Sequence, residues 1–294
     1  MKFKKQYLYI IAVVLAAILA VILFSKTGKK ANDNGAVNPT GTKIKPLNIT
    51  VMLDLSDRLT HKGANDNLSQ IEKDSTILMD IQKNFYSRQY NSGRMNPTQD
   101  KIQVICHPYP TISNINSMIE DMAVDLSITS GSDIKNNKKE LKEMNNIWSS
   151  NISSIYRQTI KTGKFLGSDI WGFFNKDAKV QCIRPNHRNI LIILTDGYIY
   201  HKNNWAKTSD NVYTGIVPKT VNTQKAISPV KTKYNDLEVL FLEINPSPGN
   251  TATFNKIDQL ITDWCTSMGI QHVEVVQTNL PTQTQKYIDN FIGW

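Results

Sequence analysis

Apolar residues run along this chain in two rhythms. Five short stretches are rich in apolar residues. The first, "NITVMLDL" (48–55), places Ile49, Val51, Met52, Leu53 and Leu55 with little room for a wet face, which predicts a buried strand. "KIQVICHPYP" (101–110) predicts a second strand stopped by Pro108 and Pro110. "RNILIILTDGYIY" (188–200) is the most apolar of the five, and "LEVLFLEINP" (237–246) and "IQHVEVVQT" (270–278) complete the set. Between them the spacing turns helical. Leu68, Ile71, Leu78, Ile81 and Phe85 predict an amphipathic helix over 67–90, and Phe254, Ile257, Leu260, Ile261 and Trp264 predict another. Residues 111–162 read as mostly helical, with a polar break at "TSGSDIKNN" (129–137) and a long helix from Lys138 to about Lys161. Pro281 introduces a last helix. Strands that are apolar throughout and alternate with helices predict an α/β fold, a doubly wound, mostly parallel sheet with helices on both faces. Such sheets bind ligands at the carboxyl ends of their strands.

The first 46 residues follow neither rhythm. A short basic N-terminal tail (1–6) carries Lys2, Lys4 and Lys5 and leads into "YLYIIAVVLAAILAVILF" (7–24). Eighteen residues at ~1.5 Å each span roughly 27 Å, close to the hydrocarbon thickness of a bilayer. A cleavable signal peptide is the rival, but its apolar region is usually about 7 to 15 residues and ends in small side chains. This run ends in Leu-Phe-Ser-Lys, so an uncleaved transmembrane anchor is expected. Lysines flank both ends equally and leave orientation undecided by charge; a very short tail before a long folded domain reads as a single-pass signal-anchor with the soluble domain extracytoplasmic. Residues 25–46, rich in Gly, Asn, Thr and Lys, have the composition of a flexible linker. The folded domain is expected over 47–294, with insertions at about 111–162 and 201–236. The second leaves the central strand directly and is long enough to serve as a lid, a partner-binding surface or an internal ligand.

Charge and cysteines narrow the field. The chain carries a formal charge of +9, but residues 1–46 hold eight Lys against one Asp, which leaves +2 for the other 248 residues. The folded part gives no reason to expect nucleic acid as a partner. Cys106, Cys182 and Cys265 form no CxxC pair and read as small buried hydrophobes. No GxSxG, Walker, GxGxxG or HExxH pattern occurs. His61, His107, His187, His201 and His272 show no ligand spacing, and His201 alone falls near a strand end of interest.

Candidate chemistry sits where apolar strands stop. The first strand runs into Asp54, Ser56, Asp57 and Arg58; the central strand ends in Thr195-Asp196-Gly197; and "TGKFLGSDIWGFF" (162–174) places Gly167, Ser168 and Asp169 before a short helix. Two carboxylates and two hydroxyls on one rim are oxygen ligands of the kind a hard divalent cation accepts. Taken singly, each of these residues also fits an ordinary turn or helix cap.

With these motifs in hand, the chain resembles the von Willebrand factor A family, in a membrane-anchored bacterial-type form. That family builds a metal-ion-dependent adhesion site from an Asp-x-Ser-x-Ser motif after the first strand, a Thr in a Gly-rich loop and an Asp in a TDG-like turn after the central strand. Asp54 and Ser56 match the first two positions, Asp196 the last, and Ser168 stands in for the Thr. The resemblance covers about residues 47–292 and implies that Asp54, Ser56, Ser168 and Asp196 hold Mg²⁺, or Mn²⁺ or Ca²⁺, which grips the carboxylate of a protein partner. It implies a binding or scaffold module rather than an enzyme. One position departs: the motif's second Ser is Arg58, which has no acceptor and cannot ligate. Arg58 either pairs with Asp54 or Asp196 in place of a cation, giving a metal-free scaffold, or points away. The enzymatic alternative is a Rossmann-like phosphohydrolase with Asp54 as nucleophile and Asp196 as metal ligand. Such enzymes usually carry a second carboxylate two residues after the nucleophile, where this chain has Ser56.

Overall fold

Strand β1 (Leu47–Leu53) is buried at every position. Its two faces are covered by packed cores, and at its two edges β1 pairs in parallel with β4 (Lys101–Cys106) and with β6 (Arg188–Leu194), while β2 (Tyr90–Asn91) and β3 (Arg94–Met95) pair antiparallel in a two-stranded sheet of their own. The computed structural model describes residues 45–60, 68–91, 94–95, 98–127, 131–163, 165, 167–201, 205–246 and 250–294. The apolar run at 7–24 and nearly all of the linker lie outside these residues. No helix among the described residues is long and apolar enough to cross a membrane.

Around β1 the chain builds a six-stranded sheet in the order β11-β10-β6-β1-β4-β5, with β5 at Val124–Asp125, β10 at Leu237–Ile244 and β11 at His272–Gln277. β5 pairs antiparallel with β4, and the other four pairings are parallel. The expected mostly parallel, doubly wound sheet is therefore present. Strand order reverses between β1 and β6, so the switch-point crevice opens at their carboxyl ends.

Alternation along the strands sorts side chains to two cores. Ile49, Val51, Leu53, Ile190, Ile192 and Leu194 face one side, beneath α1 (Gln70–Arg88), α2 (Ser113–Asp121), α3 (Gly131–Thr162) and α7 (Pro281–Ile292). Met52, Leu191, Ile193, Val239 and Phe241 face the other, against α4 (Ile170–Lys176), α5 (Ala178–Cys182) and α6 (Thr251–Ser267). The three cysteines are free and buried.

α3 begins at Gly131, seven residues before the Lys138 start read from the sequence, and runs through the polar stretch taken for a break. Residues 111–162, set apart in the sequence as an insertion, supply the edge strand β5 and place Trp148, Ile152, Ile155 and Tyr156 in the first core. Residues 201–236 hold a small sheet of β7 (Lys207–Ser209), β8 (Val212–Tyr213) and β9 (Ala226–Ile227). Val221, Ile227, Val230 and Tyr234 of this segment pack into the second core.

At the end of β10 the register slips between Phe241 and Ile244, and Glu243 takes a φ of 68°. This bulge turns Glu243 toward α1 and α7 and sends Ile244 to the opposite core, a reversal of the two-residue alternation.

α1 opens with a capping box, in which Glu72 N donates to Ser69 Oγ and Ser69 N donates to Glu72 Oε2. Its buried stripe changes character along its length. Gln70, Lys73 and Asp74 come first and Ile77, Leu78, Ile81 and Phe85 follow, so the polar end of the stripe lies beside the carboxyl ends of the strands.

A candidate cation site at the switch point

Asp54 follows the last residue of β1, and its amide still donates to Leu194 O at 3.1 Å in the β6 ladder. That bond fixes its carboxyl at the mouth of the crevice. Oδ1 accepts from Ser56 N at 2.9 Å and Oδ2 from Thr195 Oγ1 at 2.8 Å. Asp54 is 2% exposed. Burial raises its pKa, and the Arg58 charge with the Thr195 and Ser56 bonds offsets only part of that rise.

Asp196 follows on the neighbouring strand. Its Oδ1 accepts from Tyr198 N at 2.9 Å and its backbone oxygen from Asn245 N at 3.0 Å. The residue is partly buried. Burial first, and then the neighbouring Asp54, push this carboxyl up to about 7. Two carboxylates this close resist ionising together unless positive charge stands between them.

Ser168 arrives from the other side. Gly167 bridges antiparallel to His201, and Ser168 N donates to Tyr200 O at 2.8 Å. The loop carrying Ser168 is thereby fastened to the segment that follows Asp196. Ser168 is 2% exposed, and its hydroxyl has no hydrogen-bond partner among the described residues. The next residue, Asp169, caps α4 by accepting from Gly172 N at 2.9 Å.

Arg58 is buried and turned toward α1. Nη2 donates to Asp74 Oδ2 at 2.6 Å and Nε to the backbone oxygen of Asp54 at 3.0 Å, while Nε lies 4.0 Å from Asp54 Oδ2. Nη1 is buried without an acceptor. Burial opposes the charge, but Asp74 and then Asp54 outweigh it and hold the guanidinium pKa above its ordinary value. Of the two placements open from the sequence, pairing with a rim carboxylate or pointing away, the structure gives a main partner outside the rim with Asp54 as its near neighbour. Asp57 is exposed in the short turn at Asp57–Thr60.

The four residues read from the sequence thus lie at one end of the sheet, Asp54 with Ser56 after β1, Asp196 after β6, and Ser168 on the adjoining loop. Their oxygen chemistry fits a hard divalent cation: an orphaned buried hydroxyl and two crowded carboxylates are donors without enough positive charge. Among the described residues, no group of three or more His, Cys, Asp or Glu side chains is gathered as a metal site; this rim mixes carboxylates with hydroxyls.

Three contributors escaped the sequence reading. Thr195 was read as part of the strand end, but not as a hydrogen-bond donor to Asp54. Asp74 was hidden in α1, although a carboxylate on an otherwise buried helical stripe is a legible signal. His107, read as ordinary, stands with Nε2 3.5 Å from Asp169 Oδ2 and Nδ1 3.6 Å from Asp177 Oδ2.

The chain matches no family profile and no curated protein. Among solved structures it is similar to an aerotolerance-related membrane protein from Bacteroides fragilis, crystallised with multiple mutations to serines. The two are 13% identical over 84% of this chain and 98% of the other, with a TM-score of 0.38. Superposition at that level is partial, and the fold described above rests on the strand order and register of the chain itself.

Proposed function

We propose that this protein is a membrane-tethered, von Willebrand factor A-like binding or scaffold module. Asp54, Ser56, Ser168 and Asp196 would hold Mg²⁺ or Mn²⁺ at the switch-point rim, and the bound ion would offer a partner protein's carboxylate a site to occupy. One juxtaposition carries the reading: a buried and a partly buried carboxylate at the ends of adjacent strands, with a buried hydroxyl on the adjoining loop that has no hydrogen-bond partner among the described residues. Two carboxylates and two hydroxyls do not fill the six-oxygen shell of such an ion, so the remaining positions would hold water that a partner's carboxylate could displace. The tether belongs to the same proposal and rests on the apolar run at 7–24.

The phosphohydrolase alternative is less favoured. Asp54 is 2% exposed and both of its carboxyl oxygens already accept hydrogen bonds, which suits a structural or ligating carboxylate better than a nucleophile. The metal-free scaffold keeps one observation in its favour, the Arg58 charge 4.0 Å from Asp54.

Calorimetric titration of the detergent-solubilised full-length protein with Mg²⁺ and Mn²⁺ tests the reading. Saturable binding that Asp54→Ala abolishes is expected, together with a rise in melting temperature on adding the ion. A protein indifferent to millimolar concentrations of both ions overturns it. Hydrolysis of p-nitrophenyl phosphate that Asp54→Asn abolishes would establish the enzyme instead.

A further inference from the structure

We propose that Asp74, a residue of α1 that takes no part in the rim, sets the rim's affinity for a divalent cation by committing the Arg58 fork to itself, so that the guanidinium does not hydrogen-bond the carboxylates of Asp54 and Asp196. The inference rests on the cation reading above.

Arg58 has three nitrogens and three different situations. Nη2 is committed to Asp74 Oδ2 at 2.6 Å, Nε bonds the main chain of Asp54 at 3.0 Å, and Nη1 is buried with no acceptor among the described residues. An unsatisfied donor gains a bond wherever it finds an oxygen, and carboxylate oxygens lie close by, Asp54 Oδ2 being 4.0 Å from Nε. A modest swing of the guanidinium would therefore satisfy Nη1 at the rim. Asp74 is the charged group that holds it back.

Asp74 is built to hold. Its Oδ2 also accepts from Tyr156 Oη of α3 at 2.9 Å, and its Oδ1 accepts from Gln70 Nε2 at 2.8 Å. Gln70 in turn reaches Glu243 Oε2 at 3.3 Å, and Glu243 is gripped by Thr278 and Thr284. The carboxylate is thus fixed by α1, α3 and, through Gln70, by the bulge that ends β10. A rigid anion fixes the direction of the guanidinium fork. At an effective dielectric of about 20, bringing the guanidinium from its present 4.0 Å into hydrogen-bond contact with Asp54 Oδ2 would cost a competing cation about tenfold in affinity.

Asp74→Asn keeps the shape and one acceptor but removes the charge. Arg58 is then compensated by Asp54 alone, and the calorimetric Mg²⁺ dissociation constant should rise about tenfold or more. Loss of a distant negative charge would also weaken cation binding through space, so the decisive measurement repeats the substitution in an Arg58→Met background. There Asp74→Asn should shift the constant less than about twofold, because no guanidinium remains to be released. An equal weakening in both backgrounds would show a simple field effect and overturn the proposal, as would a parent that binds Mg²⁺ and an Asp74→Asn variant that binds it equally well. A parent that binds neither Mg²⁺ nor Mn²⁺ removes the cation reading and this inference with it. Should Asp74→Asn fail to fold, crystals of the parent grown with Mn²⁺ decide the matter: Arg58 hydrogen-bonded to Asp74 supports the proposal, and a guanidinium moved onto the Asp54 or Asp196 carboxylate refutes it.

Discussion

The imidazole of His107 lies between two aspartates, and the nearer, Asp169, is the residue that caps α4. The other, Asp177, follows the last residue of the same seven-residue helix. A single side chain at the end of β4 therefore spans both ends of α4, with its ring tilted against Phe173 at 5.6 Å. His107→Leu keeps most of the volume and removes both ring nitrogens, so Asp169 and Asp177 are left facing an apolar group. A loss of about 1–3 kcal/mol in urea unfolding is expected, with faster amide exchange over 168–177 in the native state. Unchanged exchange there would show that α4 does not depend on His107.

The raised Asp196 carboxyl makes stability depend on pH. Between its ordinary value of 3.8 and about 7, the folded protein keeps a proton at Asp196 that the unfolded chain has released. Stability from this group is therefore greatest below about pH 4, falls as pH rises through that window, and stays low above it. Asp196→Asn should raise the melting temperature relative to the parent at pH 8 in the absence of divalent ions, and the difference should vanish near pH 4. Melting curves of the two proteins across this range, differing by a constant offset, would contradict the assignment.

Thr195 carries two hydrogen bonds at the junction of the two rim strands. Its Oγ1 donates to Asp54 Oδ2 at 2.8 Å and accepts from Gly197 N at 3.3 Å. Thr195→Val is close to isosteric and breaks both, leaving a buried carboxylate oxygen short of a donor. The expected cost is about 1–3 kcal/mol by urea denaturation. A midpoint indistinguishable from the parent would mean that Asp54 finds another donor.

Gly167 holds a φ of 82°, and a Cβ there would sit 2.7 Å from Tyr200 O, the oxygen that accepts from Ser168 N. Gly167→Ala meets both the backbone strain and that contact. A destabilisation of about 1–3 kcal/mol is expected, together with loss of exchange protection at the Ser168 amide. Protection that persists would show the bridge to be stronger than the strain.

Much of this fold is legible in the chain, and the exceptions have physical reasons. β1, β6 and β10 are mostly apolar because central parallel strands covered by helices have no wet face, whereas β4 and the edge strand β11 show themselves by alternation instead. β5, β7, β8 and β9 are two or three residues long, too short for a period to register. α3 starts earlier than its pattern because Gly131 to Asn137 are helical without a continuous apolar stripe. Within the site, Asp54, Ser56, Ser168 and Asp196 stand out because polar residues interrupt apolar strands or open a helix. The partner of Arg58 does not, since Asp74 meets it only through the tertiary packing of α1 on the sheet. Tyr156 is more hidden still, because the contact joins residues 82 positions apart in sequence.

The chain enters the folded body at one end of β1, and Asp54 stands at the other. The two points are seven residues apart along a strand that is already extended, roughly 23 Å at about 3.3 Å per residue. A pull between the residues preceding Leu47 and anything grasped at Asp54 therefore travels along the covalent backbone of one straight strand. The helices and outer strands are not in series with that line, so tension on Asp54 tends to align the body rather than unravel it. Asp196, at the end of β6, shares the load by shear against β1, across a parallel ladder whose hydrogen bonds must then break together rather than one after another.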